Sequence, residues 1–373
     1  MKGVAGAKAD TPHGLDRALC FARQEALRED LRAIGCKALV IRNRGQLSRL
    51  FNYHAREVFP AAAVIFADGP SVLSRRQGDE CAVFADEVRG YEAARMDSLR
   101  PHLSDVALEP LTGIVPENAA LGADSDITLS LLNRFDWIDM RPGIDARRRR
   151  KDNDEIALIE AAAAAAEAAY DAIEPLLVDG AREIDIFSAY QAAAVVAAGD
   201  QIGELGNDFR GGAPGGSPRT ASLKAGDLIP IDTGVMLRGY YSDLCRTYPI
   251  GGEWGASQLD AARRVAAAHD LAISMIAPGV SCRSVYAEVS RFLDGYNGWS
   301  FKSHLGHGIG LNPVETPRIN PHWDDHFAIG DVFTLEPGLY SQELRAGVRI
   351  ENDYVLLESG LRRFSDSARI IPA

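Results

Sequence analysis

Two stretches of the chain carry an acid at the same place in the same pattern. Residues 225–234 read Ala-Gly-Asp-Leu-Ile-Pro-Ile-Asp-Thr-Gly and residues 329–338 read Ile-Gly-Asp-Val-Phe-Thr-Leu-Glu-Pro-Gly, which sets Asp232 on Glu336. Each apolar run should return as a hairpin, and each return strand brings a second acid, Asp243 in one and Glu351 in the other. A turn at Leu237-Arg238 would place Asp232 opposite Asp243; a slip of two residues would make them diagonal neighbours on one face, ~7–8 Å apart or less. Two ionised carboxylates ~5 Å apart repel by roughly 3 kcal/mol at an effective dielectric near 20. Four inward acids therefore call for positive charge among them, and one or two divalent cations supply it economically. His307, in Leu305-Gly-His-Gly-Ile-Gly310, is the fifth member: glycines on both sides let backbone approach and leave the imidazole clear. A carboxylate-dominated set with one imidazole favours Mn, Fe, Co or Zn over copper. Two such ions ~3.5–4 Å apart that share a water generate a nucleophile near neutral pH.

Elements on both sides must hold these groups in place. The residues before each hairpin repeat as well: 175–180 with Ile186 and Phe187 match 274–279 with Val285 and Tyr286, a helix end, a glycine turn and a second helix. The spacing predicts helices over 154–173 and 183–198, the first alanine-rich with Ile156, Ile159, Ala163, Ala166, Tyr170 and Ile173 on one stripe. Two copies of helix, helix and hairpin can bury one curved antiparallel sheet under four helices. The leading part is α/β, with a helix over 15–34, an extended run at 38–41, strands 61–66 and 71–73 around Ala67-Asp-Gly-Pro70, a helix over 126–135 and an extended run at 137–140. The run Arg147, Arg148, Arg149, Arg150, Lys151 reads as a solvated linker into a helix with an acidic first turn. The fold class is α+β, with an α/β domain over 1–146 and the duplicated domain over 152–373.

A chain of 373 residues fits two domains rather than one core. Forty basic against 52 acidic side chains, a net charge of −12, argues against a nucleic-acid or anionic-membrane partner. Residues 1–14 lack the apolar core of a secretory signal, and no stretch reaches the ~18 apolar residues of a membrane helix. Five widely spaced cysteines with no CxxC pair suit a reducing compartment, and a cytoplasmic location is expected.

Asp232-Thr-Gly, Tyr241-Ser-Asp243-Leu-Cys-Arg-Thr247, Gly306-His-Gly-Ile-Gly310, Leu335-Glu-Pro-Gly338 and Arg349-Ile-Glu351-Asn, in this order, resemble the metallopeptidase family of aminopeptidase P, prolidase, methionine aminopeptidase and creatinase. The likeness covers residues 152–373, and the leading part is compatible with a creatinase-type domain. It implies a pita-bread fold with pseudo-twofold helix-helix-hairpin units, a homodimer and two divalent metal ions. By position Asp232 would hold one ion, His307 and Glu336 the other, with Asp243 and Glu351 bridging. Glu336 would also carry the proton of the attacking water.

Two features depart from that pattern. The family places a histidine 17 or 18 residues before the first metal Asp, yet residues 207–231 contain none. It also places a His-Glu pair after the glycine motif, where this chain has Val314-Glu315. Valine cannot donate a hydrogen bond, and losing an oxyanion-type donor typically costs ~10²–10³ in rate. His304 either reaches the site as a catalytic substitute or packs on the sheet. Arg210 and Arg219, in the glycine-rich loop, either clamp a substrate carboxylate or lie on the surface. Arg349, in phase with Glu351, is a substrate contact or steadies the acids, and Cys245 reads as packing. Tyr53, His54 and Arg56 match the leading-domain segment that, in relatives, covers the neighbouring protomer's site.

These features point to a metal-dependent hydrolase that cleaves a C–N bond in a small carboxylate-bearing substrate, either an Xaa-Pro peptide or a non-peptide amino-acid derivative. Two alternatives share the fold: a metal-dependent lyase of the dimethylsulfoniopropionate-cleaving type, which needs a base that residues 308–314 lack, and a binding module without activity.

Overall fold

The structure, a computed structural model, describes residues 14–116, 119–126, 134–203, 206, 208–301 and 303–365. Its contacts divide the chain between Arg148 and Arg149 into two units. The first is built on a six-stranded mixed sheet in the order Glu87–Tyr91, Ser71–Arg76, Ala62–Phe66, Ala38–Ile41, Ala120–Ala123, Asp136–Asp139. The strand Ala38–Ile41 is apolar at every position because both of its faces are covered. Leu39 and Ile41 pack with Leu27, Leu31 and Phe51 of the helices Arg17–Ala33 and Arg44–Phe51, while Val40 packs with Val64, Leu108 and Leu121 on the other side. Asp16 and Asn43 cap those helices by accepting the amides of Leu19 and Gln46. The helix expected over 126–135 falls largely on residues 127–133, which lie outside the described residues.

The second unit repeats one motif. Helices Asn153–Ile173 and Glu183–Ala198 precede the hairpin of Leu228–Thr233 with Leu244–Pro249. Helices Ala256–Met275 and Cys282–Leu293 precede a five-stranded sheet in which Val332–Leu335 pairs with Asn352–Leu357, extended by the ribbon of Gly338–Ser341 with Ala346–Arg349. Each copy has its own apolar core. Alanines 162, 165, 166 and 169 are buried, so the first helix lies close on its hairpin. Its Tyr170 hydroxyl lies 2.7 Å from the Leu244 carbonyl and 3.0 Å from that of Ile231. The copies meet where Cys245 and Glu351 exchange backbone hydrogen bonds, and the buried Arg246 guanidinium bonds the carbonyls of both residues.

Two expectations are corrected here. The hairpin turns at Arg238-Gly239, one residue later than Leu237-Arg238, because both turn residues adopt positive φ (54° and 91°), the primed-turn geometry that matches strand twist. Asp232 therefore faces Cys245, and Asp243 is its diagonal neighbour. The basic run is not a solvated linker. Arg147 and Arg149 belong to a helix, Arg141–Arg149; Arg147 pairs with Asp30, and Arg149 makes two bonds to Asp331 at 2.8 Å. Lys151 is buried on Glu315 at 2.9 Å. Among the described residues no helix is long and apolar enough to cross a membrane.

Behind the second hairpin, His269 is buried with Nε2–H donating to the Leu335 carbonyl at 3.2 Å and Nδ1 facing the Tyr354 hydroxyl at 3.3 Å. Burial pushes its pKa down from 6.5 to about 4. The folded state then binds fewer protons than the unfolded state between those values, so stability falls as pH drops through that window. Urea unfolding of His269→Gln should lose about 2 kcal/mol less than the parent between pH 7 and pH 5. Equal losses in both proteins would remove His269 as the cause.

Candidate metal centre and active site

The strand Gly306–Gly308 carries His307 into the sheet between Glu315–Ile319 and Val332–Leu335. Its flanking glycines are required by close approach: a Cβ at Gly306 would lie 2.0 Å from the Thr334 carbonyl oxygen, and one at Gly308 2.1 Å from that of Thr316. The imidazole Nδ1 lies 3.1 Å from the Gly308 carbonyl and donates to it, which leaves Nε2 as a bare lone pair. That lone pair faces Glu336 at 3.7 Å and Asp243 at 3.8 Å. Burial lowers the imidazole pKa to about 4, so it is neutral at pH 7.

Three groups of side chains bring their ligand atoms within 4.8 Å of one another: Asp232, Glu336 and Glu351; Asp243, His307 and Glu351; and His304, His307 and Glu336. The four acids of the duplicated hairpins and His307 thus converge, and His304 joins them. A further acidic trio, Asp152, Asp154 and Glu155, is explained by the capping box of the helix it precedes. Burial, and then mutual repulsion, hold the carboxyls of Asp243, Glu336 and Glu351 well above the ordinary carboxylate range. Asp232 is also raised by burial, against the pull of Arg349. Glu351 Oε1 is buried with no hydrogen-bond partner among the described residues. An orphaned carboxylate oxygen and an imidazole lone pair aimed at carboxylates are donors lacking a cation, and this set fits a divalent metal. The Asp243 amide donates to both oxygens of the buried Asp353, at 3.0 and 3.3 Å, which fixes the backbone of that acid.

The other expected residues divide. Arg349 reaches the centre: its Nη2 lies 2.5 Å from Asp232 Oδ2 and 3.1 Å from Asp208 Oδ2, while Nη1 donates to the Tyr340 hydroxyl at 3.3 Å. Cys245 is buried and receives Arg349 Nε; burial holds its thiol well above the ordinary range, so it is no nucleophile. His304 stacks on His307 with ring centroids 5.4 Å apart and sets Nε2 3.3 Å from Glu336 Oε1. Arg219 is committed elsewhere, with Nε and Nη2 on the buried Glu183 carboxylate, so the clamp expected of it is spent on the fold. Arg210 folds back to the Ser217 carbonyl of its own loop. His54 is half-buried in the first unit. Glu315, which follows Val314, is the buried partner of Lys151.

A cavity of about 330 Å³ beside His307 is lined by Tyr286, His304, Val314, Arg318 and Trp323 among others. Arg318 stands opposite His307 across the strand pair, stacks over Trp323 at 5.4 Å, and has no carboxylate within salt-bridge distance among the described residues. A second cavity, of about 510 Å³, is lined by Pro214, Gly215, Ser300, Ser303, Tyr340 and Arg349. Sequence reasoning missed Arg318 and Asp208. The hairpin after His307 was the available signal for Arg318, since an arginine eleven residues on can return beside the histidine.

The model of metallopeptidase family M24 matches residues 157–358, more than half of the chain. The Xaa-Pro dipeptidase of Pyrococcus furiosus is 27% identical over 305 residues, covering 78% of this chain and 86% of that protein. The Xaa-Pro dipeptidase of Pyrococcus horikoshii is 28% identical over the same length and coverage. The prolidase structure from Pyrococcus furiosus superposes with a TM-score of 0.75 at 21% identity, over 92% of this chain and all of that one. An X-Pro aminopeptidase from Thermotoga maritima gives 0.77 at 23%, over 94% and 99%.

If a cation belongs among these acids, divalent metal should raise the melting temperature of chelator-treated protein, by about 2.7 kcal/mol in stability at a hundredfold excess over the dissociation constant. Asp243→Asn should leave the stripped protein at least as stable and abolish the shift, as read by calorimetry. Identical metal responses in parent and variant would refute the assignment. The fold is pita-bread, and the chain belongs to metallopeptidase family M24.

Proposed function

We propose that this M24 enzyme is a dipeptidase-like hydrolase that cleaves the amide bond preceding a residue with a free carboxylate, with Xaa-Pro dipeptides as the leading substrates. The observation that carries this reading is Arg318. A guanidinium with no carboxylate partner among the described residues, opposite His307 in a cavity of about 330 Å³, suits a carboxylate one residue beyond the scissile bond. The two Pyrococcus relatives bear the name Xaa-Pro dipeptidase, which supports the same class. Val314, about half exposed in that cavity where the family has histidine, favours a related second reading, a non-peptide amino-acid derivative.

Asp232, Asp243, His307, Glu336 and Glu351 would hold two divalent ions, of Mn, Fe, Co or Zn, whose chemistry is Lewis-acid activation of water and carbonyl. Arg318 anchors the substrate carboxylate and thereby sets the distance of the bond from the acids. Glu336, with Oε1 3.3 Å from His304 Nε2, would take the proton of the attacking water. His304 donates to the carbonyl oxygen in place of the histidine absent at Val314. The working assembly in this reading is a cytoplasmic homodimer.

Purified protein with Mn²⁺ or Co²⁺ should hydrolyse Ala-Pro and Leu-Pro. Replacing the terminal carboxylate by an amide should reduce kcat/KM by roughly 30- to 150-fold, the worth of about 2–3 kcal/mol in charge-assisted bonds. Arg318→Met should lose that discrimination, with the loss mainly in KM. His304→Ala should lower kcat by about 10², with partial retention in His304→Gln. Metal uptake without turnover of any such amide would reject the hydrolase reading, and equal rates on acid and amide would reject the role of Arg318.

A further inference from the structure

Arg349 presents a conflict within the metal centre. One nitrogen, Nη2, serves two carboxylates, Asp232 at 2.5 Å and Asp208 at 3.1 Å. A guanidinium and a divalent cation cannot share Asp232 Oδ2 without strong repulsion, because both need the same lone pairs. Arg349 is also nearly buried, with its side chain 12% exposed, so leaving both carboxylates would strand its charge with little water around it. Its root is fixed where the backbone amide donates to the Thr247 hydroxyl and Nε to Cys245. Only a small swing of the guanidinium is available.

The loop that lacks the family histidine supplies the destination for that swing. Asp208 and Asp232 exchange backbone hydrogen bonds, both at 3.1 Å, so the two acids are placed directly across from each other. The Gly216 amide donates to Asp208 Oδ1 at 2.6 Å and aims the other oxygen at Arg349. Gly215 makes room for it: a Cβ there would lie 2.4 Å from Asp208 Oδ2. Position 215 is one of the two where the family pattern has its histidine. This chain has a gap there, filled by a carboxylate from seven residues upstream.

We propose that Asp208 is a positioning residue that takes the Arg349 guanidinium from Asp232 when a cation enters, so that Asp232 is free to ligate. Without it, Arg349 would stay on Asp232 and compete with the ion. The proposal rests on the metal reading of the five ligands given above.

The test is calorimetric titration of Co²⁺ and Mn²⁺ into chelator-treated, full-length protein. Asp208→Asn should bind at least tenfold more weakly than the parent, with an unchanged Co²⁺ absorption spectrum once saturated, because the ligands themselves are untouched. Gly215→Ala, which displaces the carboxylate without altering charge, should weaken binding in the same direction, and Asp208→Glu should recover part of the loss. In an Arg349→Gln background, Asp208→Asn should change affinity by less than twofold, since no guanidinium remains to be moved. Parent-like affinity in Asp208→Asn overturns the proposal. So does a loss that persists without Arg349, or an altered Co²⁺ spectrum, either of which would make Asp208 a ligand. A parent protein that binds neither ion refutes the metal reading itself, whereas parent binding with a silent Asp208→Asn removes only this inference.

Discussion

Like-charge repulsion in a buried place is the constraint on which the rest of the second unit depends. Asp232, Asp243, Glu336 and Glu351 converge with their ligand atoms a few ångströms apart, and Glu351 is almost entirely out of solvent. Each pair at ~5 Å opposes the fold by roughly 3 kcal/mol when ionised. A fold that keeps such a cluster must hold it rigidly, or the side chains would swing apart into water. That rigidity comes from the ladders on which the acids sit and from polar groups just behind them. Asp353 grips the Asp243 amide, and Arg246 ties the carbonyls of Cys245 and Glu351 while pairing with Glu167. The polar layer at the junction of the two halves therefore makes an unfavourable cluster persist.

Duplication is the economical way to build that junction. Each half contributes a hairpin with one acid on each arm, and the hairpins meet edge to edge at Cys245 and Glu351. The Thr247 hydroxyl, which accepts the Arg349 amide and donates to the Arg349 carbonyl, repeats the cross-link two residues further along. Both halves solve the same packing problem alike. Buried alanines let each covering helix approach its strands, Ala162, Ala165, Ala166 and Ala169 in the first and Ala261, Ala262, Ala268 and Ala272 in the second, while aromatic side chains fill the rest, Tyr170 and Phe209 in one core and Phe327, Phe333 and Tyr354 in the other.

The acids and His307 were legible because their positions are dictated by strand periodicity and repetition, which are local properties of the chain. The register of the first hairpin was legible only to within two residues, since it depends on whether Arg238 accepts positive φ, a choice settled by the twist of the assembled strands. Partnerships over long sequence separations were not legible. Arg219 looks like a loop cation until Glu183, 36 residues earlier, is folded beneath it. Lys151 looks solvated until Glu315, 164 residues away, closes on it. The same holds for Arg318: it becomes chemically interesting only because no carboxylate among the described residues comes to meet it, and a missing partner leaves no trace in sequence.

The glycine-rich loop shows why a lost motif residue is a poor guide to lost chemistry. Read as a string, residues 210–219 offer flexibility and no imidazole. In three dimensions, a Cβ at 215 would lie 2.4 Å from Asp208 Oδ2 and push that carboxylate aside, so the loop couples the choice of glycine at 215 to the place of the aspartate. That choice exchanges a neutral donor for a negative charge directly across from Asp232, and negative charge beside a cation-binding cluster does something an imidazole cannot: it competes for Arg349. At Val314 the exchange runs the other way, since a polar ring is replaced by an apolar side chain in a cavity that still contains His304 and Arg318. The ligand-bearing ladders leave little freedom, because four acids and an imidazole tolerate few arrangements. Divergence from the peptidase pattern is therefore concentrated in the groups around the cluster, which is where selectivity for one substrate over another would be set.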